Sequence, residues 1–224
     1  MSGLIIPNDG NIGSVGDTDA IAIASGGVVT FSQAPVFSAG GAGGLVPLLN
    51  TTVSSAVSQF DITSTHINAT YDTYKLICMF HPANNDVRLE YQFFADTDTN
   101  GNGSLIGGNV YGFSIAQKDV NGSVRQSNAG TPMEFSYSTI GNVNGEAIAF
   151  EMTLYNSNDV RMPIVTSGEG TNYDINGYTM GFDFAGGMVP PQTYLAHFCR
   201  GIRFEFSGGN IELAQVRLWG IANA

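Results

Sequence analysis

The residues with the clearest chemical potential lie in one acidic loop, within the stretch FFADTDTNGNGSLIGG. Asp96, Asp98 and Asn100 offer oxygen ligands at alternate positions and a glycine follows, as in the first half of an EF-hand calcium loop. The twelfth position, which needs a bidentate Glu, is Gly107, and the flanking segments alternate like strands. The sequence therefore favours a hairpin turn whose Asp and Asn side chains bond their own backbone. A calcium ion at Asp96, Asp98 and Asn100, completed by another loop or subunit, is the alternative.

Three glutamates suggest a second kind of chemistry, the hydrolysis or binding of sugars. Glu90, Glu151 and Glu205 each lie on the outward phase of an alternating segment. A glycosidase uses two carboxylates ~5 to 9 Å apart, which neighbouring strands can provide. In RLEYQ and RFEFS, however, an Arg stands two positions before the Glu, which indicates ion pairs on a solvated face. We therefore expect no enzymatic activity, with a carbohydrate-binding lectin or a glycosidase as the alternative of another class.

The histidines and cysteines form no metal-binding or catalytic motif. His66, His81 and His197 stand alone, and Cys78 and Cys199 lie far apart within apolar segments. We expect buried, reduced thiols and no resident cofactor.

Charge and composition narrow the classes of partner. The chain of 224 residues has 19 acidic and 8 basic side chains, a net charge of −11, and 29 glycines. Such a charge repels phosphate backbones and anionic lipid, so neither nucleic acid nor a membrane surface is expected as a partner. The sequence shows no signal peptide and no apolar run of transmembrane length, so we expect synthesis in a cytoplasm and no membrane insertion.

The first 46 residues differ from the rest, because they are rich in Gly, Ser and Ala and include the spacer-like SAGGAGG. Within them, DAIAIASGGVVTFSQAPVF predicts a strand, a Ser-Gly-Gly turn and a second strand. A hairpin this small, with apolar residues on both faces, cannot bury them alone. Either the chain's own main domain or other copies and a larger assembly must cover it, and the flexible spacer favours an assembly. The candidate assembly residues are Ile21, Ile23, Val29 and Phe31.

Residues 47–224 alternate short strand-like runs with turn residues. VRLEYQF, AIAFEMTL and YTMGFDF each direct one face inward, whereas YKLICMF is apolar throughout and predicts a strand covered on both faces. In the last predicted strand, the positions of the inward-facing residues shift by one, which predicts a β-bulge at Ala214 or Gln215. We predict an all-β protein with an N-terminal extended arm or hairpin over residues 1–46 and an antiparallel, jelly-roll-like β-sandwich over residues 47–224.

These segments together resemble a known group of proteins. The leading DAIAIASGGVVTF hairpin, the early strand YDTYKLICMF and the closing GIRFEFSGGNIELAQVRLWGI are similar to motifs of tailed-bacteriophage virion proteins. The resemblance is to the tail-fibre and appendage proteins of short-tailed phages that infect marine bacteria. The chain departs from a long fibre, since it has no extended shaft, heptads or triple β-helix repeats.

The resemblance implies a non-enzymatic role in a virion. It implies assembly in the host cytoplasm, a homo-oligomer that is a trimer, contacts with other virion proteins, and a β-sandwich exposed for host attachment to a bacterial surface glycan or protein. Because the chain has no shaft, a capsid decoration or head-fibre protein with the same fold is the alternative.

Overall fold

The structure, a computed structural model, describes residues 10–14, 17–31, 44–95, 105, 111–118, 124–130, 132–135, 138–155, 164–188 and 199–221. All strand pairs in these ranges are antiparallel, and the ranges contain no helix. Accordingly, a helix long and apolar enough to cross a membrane is not found in them. The prediction of an all-β protein is confirmed.

The chain divides into two compact units, Met1–Ala42 with Ala224 and Gly43–Asn223, close to the boundary that composition predicts at residue 46. The first contains β1 (Gly10–Ser14), β2 (Asp17–Ile23) and β3 (Val29–Phe31). The strands of the second are β4 (Leu45–Val53), β5 (Phe60–Ile62), β6 (Thr73–Pro82), β7 (Leu89–Ala95), β8 (Tyr111–Lys118), β9 (Val124–Gly130), β10 (Met133–Glu134), β11 (Ile148–Tyr155), β12 (Ile164–Tyr173), β13 (Thr179–Met188), β14 (Cys199–Phe206) and β15 (Ile211–Ile221).

Three sheets arrange these strands. The first unit is a three-stranded sheet with the order β1-β2-β3. The second unit has an eight-stranded sheet, β4-β15-β6-β11-β12-β13-β8-β9, and a four-stranded sheet, β10-β7-β14-β5. Consecutive strands from β4 to β7 alternate between these two sheets, so each passage along the chain crosses the core.

Aromatic rings join the two sheets of the second unit. The ring centroid of Phe80 on β6 lies 5.2 Å from that of Phe204 on β14, so the two sheets meet directly. Phe135, just after β10, lies 4.2 Å from Phe150 on β11 and 4.4 Å from Tyr91 on β7. Ring pairs at such distances contribute about 0.5–1.5 kcal/mol each beyond the apolar area that they bury. The two sheets therefore share one core, as in a β-sandwich.

The alternation of the sequence sets which side chains enter this core. On β11, Ile148, Phe150, Met152 and Leu154 are all buried, as the pattern predicts. On β7 and β14 the inward sets are also as predicted, and they are Leu89, Tyr91, Phe93, Ile202, Phe204 and Phe206.

The strand β6 differs from its prediction. Tyr74, Leu76 and Phe80 are buried, but Ile77 and Met79 on the opposite face are exposed. An apolar residue type favours burial without ensuring that another layer covers both faces of a strand. The YKLICMF segment therefore buries one face only.

The predicted bulge exists, but it lies slightly earlier in β15. Against β6, Ile211 pairs with Pro82 and Leu213 pairs with His81, so the extra residue is Glu212. Leu213 then points away from the core and Ala214 points into it. The bulge thus places Glu212 and Leu213 on the outer face of the eight-stranded sheet, beside His81.

Candidate functional site

The four candidate assembly residues lie together on one face of the β1-β2-β3 sheet. Ile21 on β2 is directly opposite Phe31 on β3, and Ile23 is directly opposite Val29. Directly opposed residues share a face, as do residues two apart on one strand. On the far side of β2, Ile12 of β1 pairs with Ile21 and extends the same apolar row. We name these five residues the apolar face.

The apolar face is open to a considerable degree. Val29 is 49% exposed, Phe31 is 46% exposed and Ile12 is 40% exposed, while Ile21 and Ile23 are half-buried. Fully burying one such side chain contributes about 1.5–3 kcal/mol of favourable free energy. At each exposed position, roughly half of this free energy would be released only when a partner covers the side chain. Covering the apolar face would therefore stabilise whatever complex covers it.

The opposite face of the same sheet has a different character. Ala22 pairs with Thr30 there, and both side chains are small. The alanine of β2 on this face is the one that the alternation predicts. The large side chains that pair across β2 and β3, Ile21 with Phe31 and Ile23 with Val29, therefore share the other face.

The turn between β2 and β3 follows the predicted Ser-Gly-Gly sequence. The Ala24 N–H donates to the Val28 carbonyl at 2.9 Å, and the Gly27 N–H donates to the Ala24 carbonyl at 2.9 Å. Gly27 has a φ of 80°, a left-handed value that glycine adopts without strain. This turn sets the register that brings Val29 opposite Ile23.

The candidate calcium ligands Asp96, Asp98 and Asn100 lie outside the described residues. Elsewhere, in the ranges that the structure describes, no group of three or more His, Cys, Asp or Glu side chains is arranged to hold a metal ion. Calcium binding at this loop stays a prediction.

The structure brings two of the three candidate glutamates together. Glu90 on β7 is directly opposite Glu205 on β14 and also opposite Glu134 on β10. Glu151 belongs to the other sheet, where its Oε2 lies 3.0 Å from the Lys75 Nζ. The three do not form one site.

Arginines accompany the glutamates of the four-stranded sheet. Arg88 Nε lies 3.8 Å from Glu134 Oε2, and Arg203 donates from Nε and Nη2 to the two carboxylate oxygens of Asp61, each at 2.8 Å. The hydrogen bond with Asp61 raises the pKa of Arg203. The Arg203 guanidinium also lies 5.3 Å from the centre of the Phe94 ring. The arginines therefore lie among acidic side chains, as the Arg-x-Glu spacing indicates, but their ion-pair partners are Glu134 and Asp61 on neighbouring strands. The charge-assisted hydrogen bonds are those between Arg203 and Asp61.

A second exposed apolar group lies at the tip of the β12-β13 hairpin. Tyr173, Ile175 and Tyr178 are exposed there. Asp174 is buried, and its Oδ1 accepts from the backbone N–H groups of Asn176 at 3.0 Å and Tyr178 at 2.9 Å. The carboxylate therefore fixes the turn that presents the two tyrosines.

Sequence reasoning missed Ile12 as a member of the apolar face. The strand β1 has the sequence GNIGS, in which a single apolar residue stands among Gly, Asn and Ser. Neither alternation nor β-propensity is detectable over so short a segment. Only the pairing of Ile12 with Ile21 shows its role.

Comparison of the chain with protein-family models, with curated proteins and with solved structures found no match.

Proposed function

We propose that this chain is a non-enzymatic structural protein of a tailed-bacteriophage virion, a tail-fibre or appendage component that assembles through its N-terminal sheet. The observation that carries the proposal is the exposure of Val29, Phe31 and Ile12 on one face of that sheet. Contiguous exposed apolar surface on a small unit is typical of a protein interface. The partners are other copies of the chain, in a trimer, and other virion proteins met in the host cytoplasm.

We infer further that the β-sandwich is a jelly roll. The support is the strand order of the two sheets. One sheet contains β4-β15-β6-β11 and the other contains β5-β14-β7-β10, so strands at matching places in the two orders are consecutive in the chain. Eight strands in two sheets with Greek-key connections define that architecture, which occurs in viral capsid and lectin domains. The strands β8, β9, β12 and β13 then extend the larger sheet.

We propose that the β-sandwich makes the contacts with the bacterial host surface. The exposed Tyr173, Ile175 and Tyr178 combine apolar area with hydroxyl groups, which suits contact with a surface glycan or protein. A rigid turn held by Asp174 lowers the entropy cost of such contact.

A charge placed in the apolar face tests the proposal. We expect the full chain to form a trimer and Phe31→Asp to reduce it to a 23.6 kDa monomer, because a carboxylate cannot be buried there without a partner. Light scattering after size exclusion measures the mass. Thr30→Asp, on the opposite face of the same strand, is the matched control and should remain a trimer. A Phe31→Asp variant that keeps the wild-type mass would contradict the assembly role.

Antibody labelling of phage particles distinguishes the two virion locations. We expect label at the tail of particles that contain this chain. Label on capsids that lack tails would favour the alternative, a capsid decoration or head-fibre protein.

A further inference from the structure

The turn that precedes β11 presents an Asn-Gly pair to solvent. Asn144 and Gly145 are the two central residues of this turn, and both are exposed. The Glu146 N–H closes the turn by donating to the Val143 carbonyl at 2.9 Å. Such a hydrogen bond joins only the first and fourth residues, so the nitrogen of Gly145, the third residue, takes no part in it.

Neither the amide side chain nor the nitrogen that follows it is held by another contact. In the part of the chain that the structure describes, no hydrogen bond engages the Asn144 side chain or the Gly145 N–H. A Cβ added to Gly145 would meet no atom within 4 Å, so the space around this residue is open. Glycine itself has no side chain that could screen its nitrogen. The Asn144 amide carbon can therefore approach the Gly145 nitrogen.

A second Asn-Gly pair, at the tip of the β12-β13 hairpin, is also exposed but is bonded differently. The Gly177 N–H donates to the Asp174 carbonyl at 3.0 Å, so this nitrogen is engaged. Nδ2 of Asn176 donates to Oδ2 of Asp174 at 3.3 Å, and the Asn176 N–H donates to Oδ1 at 3.0 Å. Asp174 thus holds both members of the pair, which makes Asn176 a reference within the same molecule.

We propose that Asn144 is a site of spontaneous deamidation through a cyclic imide, with water as the co-reactant. The Gly145 nitrogen bonds to Cγ of Asn144, the bond between Cγ and Nδ2 breaks, and the Gly145 proton leaves with Nδ2 as ammonia. Water then opens the imide at one of its two carbonyls and leaves aspartate or isoaspartate at position 144. At Asn176 the same step first requires the hydrogen bonds with Asp174 to break, so it is slower there.

The products change both the charge and the geometry of the turn. Asn144 lines a cavity of about 310 Å³ whose apolar wall contains Met79 and Leu213, so a new carboxylate would border this cavity. Isoaspartate also brings its Cβ into the main chain, which lengthens the path between the Val143 carbonyl and the Glu146 N–H. The hydrogen bond that closes the turn is therefore weakened in the isoaspartate form.

Peptide mapping of the aged full chain tests the proposal, because trypsin separates the two pairs. Cleavage after Lys and Arg places Asn144 in the peptide 126–161 and Asn176 in the peptide 162–200, each with no other Asn-Gly pair. In the folded protein at pH 8, mass spectrometry should show conversion of the amide to the acid about tenfold or more faster at Asn144. Equal rates at the two sites, or faster conversion at Asn176, would overturn the proposal.

The same incubation in urea separates the effect of the fold from that of the local sequence. Both pairs then lose the hydrogen bonds of their turns, so the two rates should become similar. A difference between the rates that is as large in urea as in the folded protein would overturn the proposal, because it could not arise from the contacts of Asp174.

Two variants assign the reaction to its residue. Asn144→Gln keeps a side-chain amide but lengthens the side chain by one methylene, which disfavours ring closure, so the peptide 126–161 should keep its mass. Asn176→Gln is the matched control, and its peptide 126–161 should convert as in the wild type. Continued conversion of this peptide in Asn144→Gln would overturn the proposal.

Hydrogen exchange tests the change in the turn. In the isoaspartate form, separated after ageing, the Glu146 amide hydrogen should exchange faster than in the fresh protein. An unchanged exchange rate would contradict the weakening of the turn.

Discussion

At the scale of single residues, the two thiols are enclosed by the core. Cys78 on β6 and Cys199 on β14 are both buried, and the Cys199 Sγ donates to the Gly201 carbonyl at 3.4 Å. Burial raises the pKa of Cys199 from 9.0 to about 12 and also raises the pKa of Cys78. The thiolate is the reactive form of cysteine, so both residues are inert in the folded protein.

This burial predicts how the thiols respond to reagents and to pH. Iodoacetamide at pH 8 should leave both unmodified in the native protein and alkylate both after denaturation, as mass spectrometry would detect. Because the folded state retains the thiol protons to higher pH, stability from this source is present below about pH 9 and is lost as the pH rises towards 12. In urea titrations, Cys199→Ala should show a smaller loss of stability over that range. Rapid alkylation of either native thiol would contradict the described burial.

At the scale of the strand, two glycines make room for two aromatic rings. Gly168 on β12 is directly opposite Phe184 on β13, and Gly170 is directly opposite Phe182. A Cβ added to Gly168 would lie 2.6 Å from the Phe184 ring and against the carbonyl oxygen of Glu151. The glycines thus allow the rings to lie across β12.

Gly168→Ala should therefore destabilise the second unit by about 1–3 kcal/mol, the usual cost of overpacking a core. The free energy of unfolding from urea titration measures the effect. Gly44→Ala is the matched control, because an added Cβ there meets no atom within 4 Å. A Gly168→Ala variant as stable as that control would show that β12 and Phe184 are less tightly packed than described.

For individual strands, the alternation of the sequence predicts some features correctly and others incorrectly. Alternation is sufficient to predict the inward faces of β7, β11 and β14, because every inward residue there is apolar and most of the residues between them are polar. The bulge in β15 was predicted two to three residues late, since Ile211 and Leu213 both have an apolar side chain and only pairing with β6 shows that Leu213 is outside. Tyr178, the first residue of YTMGFDF, has the same alternation phase as the buried Phe182, which predicts that it points inward. It is exposed instead, because it lies in the tip of a hairpin.

At the scale of the whole molecule, pairing between distant strands defines the second unit. The strand β4 pairs with β15 and β5 pairs with β14, so the start and the end of this unit are neighbours in both sheets. Composition and turn residues predict that the elements are strands, but no local signal specifies which strands pair. For the same reason, no local signal predicts that Met79 of β6 and Leu213 of β15 lie beside the loop that precedes β11.

The candidate assembly site is easier to predict from the sequence. Ile21, Ile23, Val29 and Phe31 are within eleven positions of one another, and a two-strand hairpin brings them together through local pairing alone. No sequence pattern specifies which surface covers them. The central proposal is that other copies of the chain cover the apolar face.

Removal of the N-terminal unit tests this claim most directly. The second unit has its own core, so a version lacking residues 1–42 should still fold. Light scattering after size exclusion should give a trimer for the full chain and a monomer for the shortened one. The same number of copies per particle for both would contradict the account, because the apolar face would then not be what holds the copies together.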